Sequence, residues 1–102
     1  MRRGTTPTIT CSIKGADLTG SKVYATIKQG EVEIDIEDPT IESTETGCTV
    51  TIHLTQAQTL TLRSGRANIQ LRWIDANNTA LATTVASLTV HKILKEGEIT
   101  YE

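Results

Sequence analysis

From Ala67 to Trp73 the chain reads Ala-Asn-Ile-Gln-Leu-Arg-Trp, apolar and polar side chains alternating without a break. A period of two puts every second side chain on the same face. That satisfies a half-buried strand and does not match the 3.6-residue period of an amphipathic helix. The same period recurs along the chain. Ile9, Cys11 and Ile13 alternate with Thr8, Thr10 and Ser12; Val23, Ala25 and Ile27 with Lys22, Tyr24, Thr26 and Lys28; Val32, Ile34 and Ile36 with Glu31, Glu33, Asp35 and Glu37; Val50, Ile52 and Leu54 with Thr49, Thr51 and His53. Thr, Ile and Val make up about a third of the residues, a bias toward pleated structure.

Turn chemistry divides these rows. Lys14-Gly15-Ala16-Asp17 follows the first strand, and Gln29-Gly30 lies between the second and third. A two-residue turn there predicts Ile27 opposite Val32 and Val23 opposite Ile36, with Lys28 against Glu31 and Lys22 against Glu37. Asp38-Pro39 ends the third strand, and the stretch from Thr40 to Gly47 holds a short edge strand. Thr55 followed by Gln58 has the form of a capping box and predicts one helical turn near 55–60, which carries the chain from one sheet to the other. Asp75-Ala76-Asn77-Asn78 closes the strand that ends at Trp73, with Asn78 expected at positive φ. Thr79 to Val90 reads as one long strand whose apolar phase switches from Leu81, Thr83 and Val85 to Leu88 and Val90. That switch predicts a bulge or bend near Ala86-Ser87. Residues 95–102 are expected as a short extra strand or a loose tail.

About seven short strands with evenly spaced turns predict an all-β chain, an immunoglobulin-like two-sheet antiparallel β-sandwich. A length of 102 residues makes it a single domain, 1–102. With no Phe, two Tyr and one Trp, the core falls to aliphatic side chains. Ile27, Ile52, Ile69 and Leu71 are its expected members, and Trp73 is read as a pillar between the sheets rather than an exposed anchor.

Chemistry is harder to find. A net charge of −2 gives no broad field for nucleic acid or an anionic membrane, so neither is an expected partner. Arg63, Arg66 and Arg72, with Arg2 and Arg3, lack the interleaved aromatics that single-stranded nucleic acid needs. No run is long and apolar enough for a membrane helix, and Arg2-Arg3 is not followed by the apolar core of an export signal. The expected setting is therefore reducing, with Cys11 and Cys48 as free thiols. His53 and His91 have no ligand-spaced Cys or carboxylate beside them and read as surface histidines. The acidic residues from Glu31 to Asp38 lie in a row on a strand and do not wrap an ion as a loop does. No base and orienting acid single out a nucleophile among the many Ser and Thr, and no glycine-rich phosphate loop occurs. No cofactor, metal or catalytic residue is expected, and the chain is read as non-enzymatic.

An assembly module needs a free sheet edge or a flat patch, and the N-terminal arm 1–6 is suited to such contacts: short, basic, and held out of helix by Pro7. Arg2, Arg3, Thr5 and Thr6 are its expected partner contacts, and the arm is expected to bury little of its own core. The opening MRRGTTPTIT, the segment KVYATIKQG, the run VTIHLTQAQTL and the stretch IQLRWIDANNTALAT together resemble small proteins encoded in the tail and baseplate gene regions of phages and prophages of Gram-positive bacteria. They are similar as well to the N-terminal domain of phage baseplate upper proteins, which bear the receptor-binding apparatus. The likeness runs from Arg2 to near Gly97. It implies a β-sandwich module that builds or decorates a virion, with other tail or baseplate proteins, or further copies of itself, as partners. Its location would be the virion, or the host bacterial cytoplasm during assembly. The baseplate proteins continue into further modules beyond this domain, so an accessory or adaptor role is expected of a chain of this length. The rival reading is an immunoglobulin-like carbohydrate-binding or adhesion module. That reading needs exposed aromatics, for which Tyr24, Tyr101 and Trp73 are the candidates.

Overall fold

The computed structural model describes residues 1–101. Eight strands and one helical turn follow in chain order: β1 (Thr8–Lys14), β2 (Lys22–Gln29), β3 (Val32–Glu37), β4 (Thr40–Ser43), β5 (Gly47–His53), α1 (Gln56–Leu60), β6 (Gly65–Ile74), β7 (Ala80–Ala82) and β8 (Ala86–Val90). They form two antiparallel sheets. One has the order β1-β5-β4; in the other, β3-β2-β6, the edge position beside β6 is shared by β7 and β8. This is the immunoglobulin arrangement, in which β1, β5 and β4 correspond to strands B, E and D, and β3, β2, β6 and β7–β8 to C′, C, F and G. Among the described residues no strand takes the place of A alongside β1.

The apolar rows of the sequence are the inner faces. Val23, Ala25 and Ile27 of β2, Val50 and Ile52 of β5, and Ala67, Ile69 and Leu71 of β6 are buried. Leu18 and Leu62, from connecting segments, are as fully buried as any strand residue, and alternation gives no hint of them. Trp73 departs from the expected pillar. It is half-buried against the core, between Val23 of β2 and Leu81 of β7 in the ladder. Leu81 is itself 51% exposed. The β6 sheet is broader than the three-stranded sheet facing it, and the row loses its cover at β7.

The β2–β3 hairpin differs from the expected register by two residues. Ile27 faces Ile34, Ala25 faces Ile36 and Lys28 faces Glu33, so the turn is Gly30-Glu31 rather than Gln29-Gly30. Gly30 has φ 60 while Glu31 stays negative, the pattern of a II′ turn, which requires positive φ at its first central position. A shift of two keeps each side chain on its face, which is why alternation alone does not detect it.

The segment from Thr79 to Val90 is likewise two strands rather than one. β7 pairs with β6 as Trp73↔Leu81 and β8 pairs as Ile69↔Ala86, so three residues, Thr83, Thr84 and Val85, stand opposite two, Gln70 and Leu71. The one extra residue is a bulge, and it produces the phase switch a few positions earlier than Ala86-Ser87. Thr83 fills part of the gap: its hydroxyl accepts from the Leu71 N–H at 3.1 Å and its carbonyl accepts from Gln70 Nε2 at 2.8 Å.

Helix α1 carries the expected capping box. The Gln58 N–H donates to Thr55 Oγ1 at 3.1 Å and the Thr55 N–H to Gln58 Oε1 at 2.9 Å. The turn after β6 also follows its residue chemistry. Asn78 has φ 64, and Asp75 Oδ1 accepts from the N–H groups of Asn77 and Thr79, both at 2.9 Å.

Candidate functional site

Residues 1–6 do not form a free arm. The Arg3 N–H donates to the His91 carbonyl at 3.1 Å and the His91 N–H to the Met1 carbonyl at 2.7 Å, so the segment runs parallel to the chain leaving β8. Arg3 lies inward with its side chain 18% exposed. Its guanidinium donates from Nε to the Leu62 carbonyl, from Nη2 to the Leu60 carbonyl at 3.0 Å and from Nη1 to the Glu96 carboxylate at 2.7 and 2.8 Å. Planar and five-donor, it closes the C-terminal side of α1, where carbonyls lack helical partners. Gly4, at φ 70, lets the chain turn. A Cβ there would come within 2.9 Å of Ile93 Cδ1.

The remaining arm residues are mostly committed as well. Arg2 donates to the Lys92 carbonyl at 3.0 Å and Thr5 Oγ1 to the Arg2 carbonyl at 2.7 Å, while the Thr5 carbonyl accepts from the buried Thr59 hydroxyl at 2.8 Å. Thr6 is exposed. The arm is thus docked rather than free, although none of its residues is fully buried and Arg2, Thr5 and Thr6 stay exposed. The tail is fixed at one point: Gln56 pairs with the backbone of Ile99 through its amide, Nε2 to the carbonyl at 3.0 Å and Oε1 from the N–H at 2.9 Å.

The open polar groups lie one step further along, on β1. Just outside the β1–β5 ladder, Leu54 N–H donates to the Pro7 carbonyl at 3.2 Å and Gly15 N–H to the Thr46 carbonyl at 2.7 Å. Hydrogen-bonded pairs alternate along an antiparallel ladder. Between these limits the residues bonded to β5 are therefore Ile9, Cys11 and Ile13, paired with Ile52, Val50 and Cys48. The N–H and C=O groups of Thr8, Thr10, Ser12 and Lys14 point the other way, and β5 is the only strand beside β1 among the described residues. This edge is seven residues long, paired without a bulge and free of charge from Thr8 to Ile13. Those properties make an edge a template for another strand.

The other edges are guarded. β3 presents Glu33, Asp35 and Glu37. β4 has four residues, and Ser43 at its end donates to Asp17 Oδ2 at 2.7 Å. The β7–β8 edge is broken by the bulge. Inside the open side of the sandwich a groove of about 190 Å³ runs between β1 and the bulge, with Cys11 and Ile13 on one wall and Ile69, Leu71 and Thr83 on the other.

Cys11 and Cys48 both lie on the inner face of the first sheet, and no bond joins them. Burial pushes the Cys11 thiol up. The acidic row has its own local chemistry. A hydrogen bond to Asp35, with repulsion from the same carboxylate, pushes the Glu33 carboxyl up, and Lys28 partly opposes the shift. Thr26 Oγ1 donates to Asp35 at 2.7 Å. These side chains rim a shallow depression of about 600 Å³ on the outer face of the larger sheet. Tyr24 stands in it, in register with Glu37 on one side and Arg72 on the other. Tyr101 is fully exposed. His53 accepts or donates at Nδ1 to Thr8 Oγ1 at 3.1 Å. Among the described residues no three His, Cys, Asp or Glu side chains gather as a metal-ligand set.

Fold and surface together define an immunoglobulin-like sandwich with one unguarded edge. Compared with known proteins, the chain matches no family model, no curated protein and no solved structure at a significant level.

Proposed function

We propose that this chain is a non-enzymatic structural or accessory module of a phage or prophage tail or baseplate, working through protein–protein contact along β1. The observation that carries the contact is the row of outward N–H and C=O groups on Thr8, Thr10, Ser12 and Lys14, in a strand with no charge before Lys14. Strand addition supplies affinity through main-chain bonds and specificity through alternate side chains, and the groove beside Cys11 and Ile13 is open to such side chains. The setting rests on the sequence resemblance described above. Other tail or baseplate proteins, or further copies of this chain, are the partners, and the virion, or the host cytoplasm during assembly, is the location.

The test is incorporation into particles. A Thr10→Pro variant removes one outward N–H and leaves the β1–β5 ladder its bonds. It should fold and be missing from purified tail particles assayed by mass spectrometry. Normal incorporation of the folded variant would remove β1 from the assembly surface, and absence of the wild-type chain from particles would remove the tail setting.

The depression around Tyr24 favours a second reading, a carbohydrate-binding or adhesion module, because an aromatic ring flanked by Arg72, Gln70 and carboxylates is the composition that orients a sugar. Calorimetric titration with bacterial cell-wall polysaccharide should then show binding that Tyr24→Ala abolishes. No heat of binding in the wild type would dispose of this reading.

A further inference from the structure

The β1 edge has the internal symmetry that antiparallel pairing with an identical strand requires. Its sequence is nearly symmetric about Cys11: Thr10 and Ser12 flank it, Ile9 and Ile13 come next, and Thr8 and Lys14 end the strand. Symmetry of sequence is useless unless the hydrogen bonds agree with it, and here they do. The residues whose backbone groups face outward are the even-numbered ones. A two-fold axis at Cys11 pairs Thr10 with Ser12 of the second copy and Thr8 with Lys14, every one of them an outward-facing residue. Cys11 then meets its own symmetry mate at a non-hydrogen-bonded position, the site of closest approach in an antiparallel ladder, with Cα atoms about 4.5 Å apart.

We propose that two copies of this chain pair through β1 in this register, joining their three-stranded sheets into one continuous sheet of order β4-β5-β1-β1-β5-β4. The inference rests on the reading of β1 as the contact edge and adds the partner and the alignment.

Charge agrees with a second copy at β1 and opposes one at the other long edge. Cross-strand like charges are destabilising, and a symmetric pairing of β3 would set Glu33, Asp35 and Glu37 against the same row. At β1 the only charge, Lys14, meets Thr8 of the second copy, next to His53. Side chains agree as well. Ile9 and Ile13, both half-buried in the single chain, face each other across the axis and cover the apolar flank that no strand shields among the described residues. The interface is isologous: one patch meets itself, and both copies use up the same edge.

The experiment has two arms on purified full-length protein. Light scattering over a concentration series should give a mass near twice 11.1 kDa for the wild type and a monomer for Thr10→Pro. Thr10→Lys keeps the backbone donor and sets two ammonium groups at diagonal positions about 7–8 Å apart. It should shift the equilibrium the same way, so the test stands even if the proline variant fails to fold.

The register is read in a Cys48→Ala background under mild copper oxidation. Cys11 should form a covalent dimer. A Cys11→Ser, Ile13→Cys variant should not, because residues 13 of the two copies then lie four positions out of register, about 14 Å along the strand. A wild type that stays monomeric at every concentration overturns the proposal. So does a dimer that survives both Thr10 variants, or one that crosslinks through position 13 and not 11. A monomer whose incorporation into tail particles is nonetheless lost with Thr10→Pro would sink the self-pairing and leave the contact edge intact, whereas unaffected incorporation would sink both.

Discussion

Residues 1–6 and strand β1 are neighbours in the chain, both polar in composition, and they end in opposite conditions. In the arm the charged groups are paired within the domain: the Met1 ammonium with the Thr89 carbonyl, Arg2 with the Lys92 carbonyl, and the Arg3 guanidinium with two carbonyls and a carboxylate, while the backbone of Met1 and Arg3 bonds His91. In β1 half of the backbone groups find none within the domain. The arm carries the charges that would mark it as a contact surface, and β1 between Thr8 and Ile13 carries none. The difference teaches that charge shows where a chain can bond and the fold decides where bonding capacity is left over.

The sharpest way to break this comparison is to put proline at two adjacent positions of β1. Cys11→Pro deletes an N–H that bonds Val50 and strands a buried carbonyl, and should cost about 4 kcal/mol. Thr10→Pro deletes one that faces outward and should cost under about 1 kcal/mol. Denaturant titration of both variants reads the alternation directly. Equal losses, or the reverse order, would mean that the outward residues are the odd-numbered ones.

Next in size is the arm. Removing residues 1–6 takes away two backbone bonds and leaves the Leu60 and Leu62 carbonyls without Arg3, which should cost about 3 kcal/mol and lower the melting temperature by about 10–20 °C. Arg3→Lys should recover part of this, with a loss of about 1 kcal/mol, since one ammonium cannot reach three acceptors set in a plane. Glu96 is 61% exposed, so Glu96→Gln should change stability by less than about 1 kcal/mol. A truncated protein that melts within a degree or two of the full chain would show the arm to be the free segment that its composition implies.

These two regions also mark what the amino-acid sequence discloses. Alternation located the strands, and Thr55 with Gln58 located the helical turn, because both signals are local: the residues that interact lie within a few positions of each other. Alternation leaves the register of β2 on β3 open by two, because the faces are unchanged by an even shift, and the positive φ of Gly30 marks which turn forms. The docking of Arg3 was not legible, since its carbonyl partners lie 57 and 59 positions away and a carbonyl has no residue identity to read. The open edge of β1 was half legible. The uncharged alternation from Thr8 to Ile13 is plain, but that no strand among the described residues takes the A position is a property of the topology.

The smallest expected effect concerns the opposite edge of the same sheet, which is pinned where β1 is open. The Asp17 carboxyl is held below its ordinary range, first by the Thr19 hydroxyl, then by the Ser43 hydroxyl and the Thr19 N–H. The sign follows from linkage. Stability from this group is fully present above the ordinary carboxylate value and is lost as pH falls through the lowered one. Melting temperature followed from neutral pH into acid should fall slightly less for Asp17→Asn than for the wild type. Identical profiles would mean that the carboxylate does not pin Ser43, and β4 would join β1 as an unguarded edge.

The bulge at Thr83, Thr84 and Val85 has a consequence for how far assembly can go. A sandwich with regular edges on both sheets could add copies on two sides at once, and each addition would expose a fresh template; that is the geometry of polymerisation. Here the extra residue breaks the ladder beside β6, and the other edge of that sheet, β3, carries Glu33, Asp35 and Glu37, so the second sheet offers no uncharged continuous seed. Pairing that starts at β1 would then stop at two copies, with the surplus residue closing the β7–β8 side and the carboxylates of β3 closing the other.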